Sequence, residues 1–211
     1  MKLNNNGGVE MIIRLEEEKD YFEVENLTRE AFWNVYRPGC FEHLVIHKLR
    51  NDNAFVKELD YVIELDSKII ANIVYAKGLL TLEDGSKKDT LIFGPVSVLP
   101  EYQKKGYAEK LINYTLNLAK EMGYPSVLIT GNPDYYKKYG FESASKYGIH
   151  YEGIPIDDEA SFFMIKVLDK NKLIKGIYSD PVIYNIDEKE LEEFDKQFPK
   201  KIKEKREGQL E

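Results

Sequence analysis

Two lysines and a glycine stand where an apolar strand gives way to a helix, in the segment VLPEYQKKGYAEKL, residues 98–111. A helix N-terminus already carries unpaired amide hydrogens and a partial positive charge, so acidic residues are favoured there. Lys104 and Lys105 are therefore unfavourable at this point unless an anion binds. The pattern indicates an anion-binding turn, against the alternative of a solvated strand-to-helix turn.

Known phosphate-binding motifs do not match this turn. The P-loop pattern GxxxxGK[ST] is absent. The dinucleotide pattern GxGxxG requires two glycines, but Gly106-Tyr107-Ala108 supplies only one. A turn over residues 103–108 can instead aim successive backbone amides at a pyrophosphate. Gly106 permits close approach of a ligand to the backbone, and Ala108 leaves room for it.

Composition narrows the class of protein. The chain has 211 residues, 43% of them hydrophobic, and a net charge of −7, which suits one good-sized core and disfavours nucleic-acid binding. No run of about 18 apolar residues or secretory signal is present, so no membrane partner is expected. Cys40 is the only cysteine, and the three histidines lack metal-ligand spacing. We expect a cytoplasmic protein without a metal, suited to a cationic partner such as an amine.

Hydrophobic periodicity predicts alternating strands and helices. The predicted strands are 11–16, 61–65, 69–76, 90–98, 126–130 and 162–167, and the predicted helices are 19–35, 41–49, 107–122, 135–139 and 191–198. The strand–helix–strand order from 90 to 130 implies a right-handed crossover and a parallel pair, whereas Asp66-Ser67 indicates an antiparallel hairpin. The predicted fold class is therefore α/β of the α+β type, with a mixed central sheet of about six or seven strands and flanking helices.

Three segments are expected along the chain. Residues 1–10 are predicted to be a disordered leader and residues 11–168 the folded domain. Residues 169–211 are predicted to be an extension, with a short strand and helix, that packs on the domain.

Two segments resemble the GNAT N-acetyltransferase family. Pro100, Gln103, Gly106 and Ala108 resemble its acyl-CoA-binding signature, Gln/Arg-x-x-Gly-x-Gly/Ala. The segment YYKKYGF, residues 135–141, resembles a second family segment, in which a tyrosine lies four residues before Gly-Phe; here it is Tyr136. The order of elements from about 11 to 167 is also similar to that of the family.

The resemblance implies acetyl-CoA as cosubstrate. Its pyrophosphate would bind the 103–108 turn, and its pantetheine arm would lie where strands 90–98 and 126–130 diverge, pairing with the strand edge. The residues that the resemblance assigns to the cofactor are Val96, Val98, Gln103, Lys104, Lys105, Gly106, Tyr107, Ala108, Asn132 and Tyr136.

The implied reaction is direct transfer of an acetyl group to a primary amine. Alignment of the reactants can contribute roughly 7–11 kcal/mol, and one oxyanion donor about 2.7–4 kcal/mol. The backbone amide of Val98 is the candidate oxyanion donor. Tyr136 is the candidate general acid for the leaving thiolate, because the pKa values of a phenol and a thiol are reasonably matched. The alternative role of Tyr136 is simple packing among neighbouring aromatic residues.

Two departures from the family pattern leave the general base open. Some members use a glutamate in the strand that here is TLIFGPVSV, where Ile92 takes its place. A water chain, Glu42, His43 and His47 are the candidates. Ile129 replaces the family's asparagine seven residues before the tyrosine, and Asn132 is its candidate substitute.

The segment WNVYRPGCFEH, residues 33–43, is expected to frame the acceptor site, since such loops often line pockets. Tyr36, Glu42 and His43 are the candidate acceptor-binding residues, against the alternative of an ordinary helix–helix corner. The expected acceptor is a small-molecule or protein amine. The sequence is also compatible with a homodimer. The alternative function is a non-catalytic acyl-CoA-binding sensor or scaffold module.

Overall fold

The computed structural model describes residues 2–4 and 10–209. Among them the helices are α1 (Tyr21–Phe32), α2 (Glu42–Leu49), α3 (Tyr107–Glu121), α4 (Pro133–Tyr136) and α5 (Glu188–Asp195). The strands are β1 (Lys2–Asn4), β2 (Glu10–Leu15), β3 (Tyr61–Leu65), β4 (Lys68–Thr81), β5 (Lys87–Val98), β6 (Ser126–Thr130), β7 (Glu142–Ser143), β8 (Ile149–Tyr151), β9 (Phe163–Val167) and β10 (Gly176–Ser179).

The chain divides into two compact units. Unit 1 comprises residues 1–74, 95–111 and 183–211, and unit 2 comprises residues 75–94 and 112–182. The long strands β4 and β5 contribute residues to both units, and so does the C-terminal extension.

Unit 1 contains an antiparallel series in which β1 pairs with β2, β2 with β3, and β3 with β4. Asp66 and Ser67 both have positive φ, 48° and 65°, which gives the hairpin turn the twist that favours tight pairing. The predicted hairpin is confirmed. Residues 2–4 belong to β1, contrary to the expected disorder of residues 1–10, because their backbone pairs with β2. Positions 1 and 5–9 of that leader lie outside the described residues.

The helices of unit 1 bury their apolar faces together. Val24 and Leu27 of α1 and Leu44 of α2 are almost completely buried. The amphipathic α5 packs on α2, where Leu44 forms a cluster with Leu191, Phe194 and Phe198. Residues near the C-terminus therefore complete the hydrophobic core around the first two helices.

Unit 2 contains the parallel part of the sheet. β5 pairs with β6 in parallel, β6 and β7 each pair with β9 antiparallel, and β10 pairs antiparallel with β4 and in parallel with β8. The predicted mixed sheet with flanking helices is confirmed. The described residues form ten strands rather than six or seven. The additional strands are only two to four residues long, too short to give an alternating apolar pattern.

Among residues 2–4 and 10–209, no helix combines the length and the apolar composition needed to cross a membrane.

Candidate functional site

The parallel strands β5 and β6 pair over a short stretch. In the described residues their register joins only Leu91 to Val127 and Ile92 to Leu128, although β5 continues to Val98. Gly94 follows with φ +144°, a conformation that L side chains rarely adopt. Pro95 has no N–H to donate to a ladder. The predicted parallel pair is confirmed, whereas the divergence of the two strands beyond it stays a prediction.

The turn after β5 is held against the strand from which it emerges. The side-chain amide of Gln103 donates a hydrogen bond to the carbonyl oxygen of Val98, at 3.1 Å. Lys104 and Gly106 both have left-handed backbone conformations, with φ of +60° and +85°. This conformation turns the chain sharply before α3 begins at Tyr107.

The start of α3 presents unpaired backbone donors. The amides of Gly106, Tyr107 and Ala108 donate no hydrogen bond to any residue that the structure describes. A Cβ added at Gly106 would meet no atom within 4 Å, so the backbone there is open to a ligand. Successive free amides at a helix N-terminus favour an anion.

The two lysines of the turn add positive charge and form no salt bridge among the described residues. Lys104 and Lys105 are exposed, and neither forms an ion pair with a carboxylate of the described residues. Nζ of Lys105 lies 5.4 Å from the ring centroid of Tyr102. The nearby Glu101 is paired with Lys68 instead, at 3.0 Å. The charges at the helix start are therefore available to an anionic ligand.

Tyr136 lies at the end of the short helix α4. Oδ1 of Asn132 accepts a hydrogen bond from the amide of Asp134 at 2.8 Å and so caps this helix. Asn132 thus has a local structural role beside its predicted contact with the cofactor, which stays a prediction.

Aromatic rings and one glycine set the position of Tyr136. Its ring is nine-tenths buried and lies 5.8 Å from Phe93 and 5.9 Å from Phe141, centroid to centroid. An ideal Cβ at Gly131 would lie 2.7 Å from Cε2 of Tyr136. Sequence reasoning missed Gly131, whose only signal was a glycine between the end of β6 and the capping Asn132.

A buried hydrogen bond joins α1 to the end of β5 within unit 1. The hydroxyls of Thr28 and Ser97 are 3.0 Å apart, and both residues are almost completely buried. Ser97 lies between Val96 and Val98, the two residues predicted to contact the pantetheine arm. The first helix is therefore fixed beside the strand end at which transfer is predicted.

The candidate acceptor residues have different surroundings. Tyr36 is exposed, and its ring lies 6.0 Å from that of Phe32. Glu42 begins α2, and its carboxylate accepts a hydrogen bond from the amide of Phe41 at 3.0 Å. Burial raises the pKa of Glu42 to about 7. A carboxylate with this pKa is suited to accept a proton near neutral pH.

His43 is enclosed rather than accessible. It is completely buried; its Nε2 lies 2.9 Å from Oδ1 of Asp195 and its Nδ1 lies 3.5 Å from Sγ of Cys40. The expectation that His43 contacts the acceptor therefore needs correction, because α5 brings Asp195 against it. The third candidate base, His47, is half exposed and lies 2.9 Å from Glu25.

Cys40 is not a reactive nucleophile in this arrangement. Burial raises the pKa of its thiol, so the thiolate is disfavoured. Within the described ranges, no group of three or more His, Cys, Asp and Glu residues is placed to hold a metal ion.

The mixed sheet with a parallel β5–β6 pair, followed by a helix start with unpaired backbone amides, fits the class of acyl-CoA-dependent acyltransferases. A profile described as "Acetyltransferase (GNAT) domain" matches residues 12–144, more than half of the chain. The chain belongs to the GNAT acetyltransferase family.

Relatives in Escherichia coli K12 are also N-acetyltransferases by name. The chain is 25% identical over 139 residues to the uncharacterized N-acetyltransferase YhbS, covering 66% of this chain and 78% of YhbS. It is 26% identical over 98 residues to the uncharacterized N-acetyltransferase YjhQ, covering 46% of this chain and 54% of YjhQ. The match thus spans about half the length of YjhQ.

Solved structures share the fold. Escherichia coli YhbS in complex with CoA gives a TM-score of 0.72 at 21% identity, covering 87% of this chain and 97% of that one. A GNAT family acetyltransferase from Brucella melitensis in complex with acetyl-CoA gives a TM-score of 0.66 at 24% identity, covering 83% and 98%.

Proposed function

We propose that this protein is an N-acetyltransferase that transfers the acetyl group of acetyl-CoA directly to a primary amine. The observation that carries the proposal is the row of unpaired amides at Gly106, Tyr107 and Ala108, beside two lysines without a carboxylate partner. Family membership supports it, and so do the ligands named for the related structures, acetyl-CoA and CoA.

The cofactor would be held mainly by backbone groups. The pyrophosphate would accept hydrogen bonds from the amides at the start of α3, and Lys104 and Lys105 would add charge that salt screens. The pantetheine arm would pair with the edge of β5 at Val96 and Val98, beyond the residues of β5 that pair with β6.

In the proposed reaction, the amine nitrogen attacks the thioester carbonyl and the amide of Val98 stabilises the oxyanion. The new C–N bond forms, the C–S bond breaks, and the hydroxyl of Tyr136 gives its proton to the leaving thiolate. The acetylated nitrogen then gives up its own extra proton, which returns through water to the phenolate of Tyr136. The ammonium must lose a proton before attack. Glu42 is a suitable acceptor of that proton by its pKa of about 7, directly or through water.

The acceptor would be a small-molecule or protein amine that contacts Tyr36 and Glu42. The negative net charge of the chain suits a cationic acceptor. The cytoplasmic location expected from the single cysteine remains part of the proposal.

Thiol release from acetyl-CoA across a panel of amines tests the function. The panel comprises polyamines, aminoglycosides, amino acids and peptides with free N-termini, with calorimetry of CoA binding run alongside. We expect CoA to bind and at least one amine to accelerate thiol release. CoA binding without amine-dependent release would favour the sensor or scaffold function. Absence of CoA binding would overturn the cofactor assignment itself.

A further inference from the structure

One hydrogen bond shows how the backbone groups at the end of β5 are directed. The amide of Leu99 donates to the carbonyl oxygen of Ile70 in β4, at 3.0 Å. Successive residues of an extended strand direct their backbone groups to opposite edges. Ser97 therefore shares the β4 edge with Leu99, and the amide of Val98 is directed to the other edge. That other edge is the one proposed above for the pantetheine arm and the oxyanion.

Ser97 is held from α1 through its side chain. Its hydroxyl lies 3.0 Å from the hydroxyl of Thr28, and both residues are almost completely buried. The N–H of Val98 belongs to the planar peptide unit that runs from Cα of Ser97 to Cα of Val98. A restraint on Ser97 is therefore passed directly to the direction of the Val98 N–H.

The groups around this peptide unit are restrained as well. The carbonyl oxygen of Val98 accepts a hydrogen bond from the side-chain amide of Gln103 at 3.1 Å. The first helix is itself fastened to β4, because the amide of Ile69 donates to Oε1 of Glu23 at 3.0 Å. Thr28 thus restrains β5 from a helix that is anchored to the neighbouring strand.

We propose that Thr28 is a positioning residue, which holds Ser97 so that the amide of Val98 points at the carbonyl oxygen of the thioester. The inference rests on the proposed acetyltransferase function and adds a residue to its machinery. Thr28 itself would touch neither acetyl-CoA nor the acceptor, because it is completely buried. Stabilisation of an oxyanion depends on the direction of the donor, and a displacement of about 1 Å can cost roughly 100-fold in rate.

Two substitutions separate the hydroxyl of Thr28 from its packing. Thr28→Val keeps the branched shape and removes the hydroxyl, whereas Thr28→Ser keeps the hydroxyl. Thr115→Val is the matched control. Thr115 is also a completely buried helical threonine, and its hydroxyl lies 2.8 Å from the hydroxyl of Tyr75 on β4. The control therefore removes a helix-to-strand hydroxyl pair of the same kind at a position with no proposed part in the reaction.

The hydrogen bond to the thioester can be measured without an acceptor amine. We would bind acetyl-CoA labelled with ¹³C at its carbonyl carbon to each variant and record the carbonyl resonance, which moves downfield when the oxygen accepts a hydrogen bond. Wild type, Thr28→Ser and Thr115→Val should show the same downfield shift on binding. Thr28→Val should bind acetyl-CoA with unchanged affinity and lose most of that shift.

Turnover should follow the same order. With any accepted amine, Thr28→Val should lower kcat by about tenfold, whereas Thr28→Ser and Thr115→Val should stay close to wild type. Adding Ser97→Ala to Thr28→Val removes the buried hydroxyl that was left without its partner, so the melting temperature should rise toward that of wild type. The kcat of this double variant should stay low, because the restraint on the strand is still missing.

A wild-type carbonyl shift in Thr28→Val, or an equal loss of shift in Thr115→Val, would overturn the inference. Recovery of kcat together with the melting temperature in the double variant would also overturn it, because the hydroxyl pair would then only support the fold. The carbonyl shift needs no acceptor. A protein that shows the expected pattern of shifts, but no amine-dependent thiol release, would refute the transferase function and leave the role of Thr28 standing.

Discussion

The ring of Tyr136 occupies the space into which a side chain at Gly131 would project, with an ideal Cβ lying 2.7 Å from Cε2 of the tyrosine. A methyl group there must displace a ring that is packed against Phe93 and Phe141. We therefore predict that Gly131→Ala lowers kcat by roughly tenfold, since small misplacements of catalytic groups are costly. Steady-state kinetics on any accepted amine measures the effect.

The kinetic effect of Gly131→Ala should depend on the hydroxyl of Tyr136. In a Tyr136→Phe background, the same substitution should still lower the melting temperature, because the ring clash remains, but it should leave kcat unchanged. If the two substitutions reduce kcat independently, Gly131 does not act through Tyr136.

Tyr136→Phe removes one hydroxyl and keeps the packed ring. We predict a loss of turnover of about 100-fold, at the lower end of the range for general-acid assistance, because a thiolate is already a fair leaving group. Acetyl-CoA affinity should change little, since binding relies on backbone amides.

Tyr135→Phe is the matched control, because Tyr135 is the adjacent, partly exposed tyrosine. It should retain near-normal turnover. If Tyr136→Phe retains more than half of wild-type turnover while chemistry is rate-limiting, water or another residue protonates the thiolate.

Gly106→Glu places a negative charge in the open space beside the unpaired amides of α3. We predict that CoA affinity, measured by calorimetry, falls by about tenfold or more, because the carboxylate repels the pyrophosphate and competes for the same donors. The remaining affinity should be less sensitive to salt.

Gly123→Glu controls for backbone strain and for the added charge. Gly123 has φ +87°, close to the +85° of Gly106, and a Cβ there also meets no atom within 4 Å. It follows the opposite end of α3, so its substitution should cost stability without changing CoA affinity. Equal affinities for folded Gly106→Glu and wild type would remove the pyrophosphate assignment.

A buried acidic pair should make stability depend on pH. Glu16 is almost completely buried beside Asp60, and the guanidinium of Arg50 binds its carboxyl group at 2.6 and 3.0 Å. Burial and the hydrogen bond with Asp60 raise the pKa of Glu16 to about 9, although Arg50 opposes the rise. Burial also raises the pKa of Asp60.

The folded protein thus retains a proton that the unfolded chain releases above about pH 4.5. The stabilising contribution is complete below that pH and is lost as the pH rises toward 9. We predict that the free energy of unfolding, from urea denaturation, falls over this interval. Glu16→Gln should flatten the dependence, whereas the exposed Glu18→Gln should not. An identical slope in Glu16→Gln would refute the assignment.

Local sequence determined much of the fold and one part of the candidate site. The hairpin at Asp66-Ser67, the helix that begins at Tyr107 and the interruption of β5 at Gly94-Pro95 all follow from residues adjacent in the chain. Turn preferences, helix periodicity and the missing N–H of proline act over a few residues, so they can be predicted without knowledge of the rest. The short strands β7 and β8 could not be predicted, because their pairing depends on longer neighbouring strands.

Only the tertiary structure decided the surroundings of the candidate acceptor residues. His43 has the residue type of an acid–base catalyst, yet Asp195, 152 positions away, encloses it, and Lys201 reaches Glu30 across 171 positions. These contacts depend on how α5 and the residues after it pack against α1 and α2. That packing is driven by burial of apolar surface, which brings residues together regardless of their separation in the sequence. The sequence alone therefore predicted an anion-binding turn at residues 103–108, while the folded chain decided which of the candidate acceptor residues are buried and which are exposed.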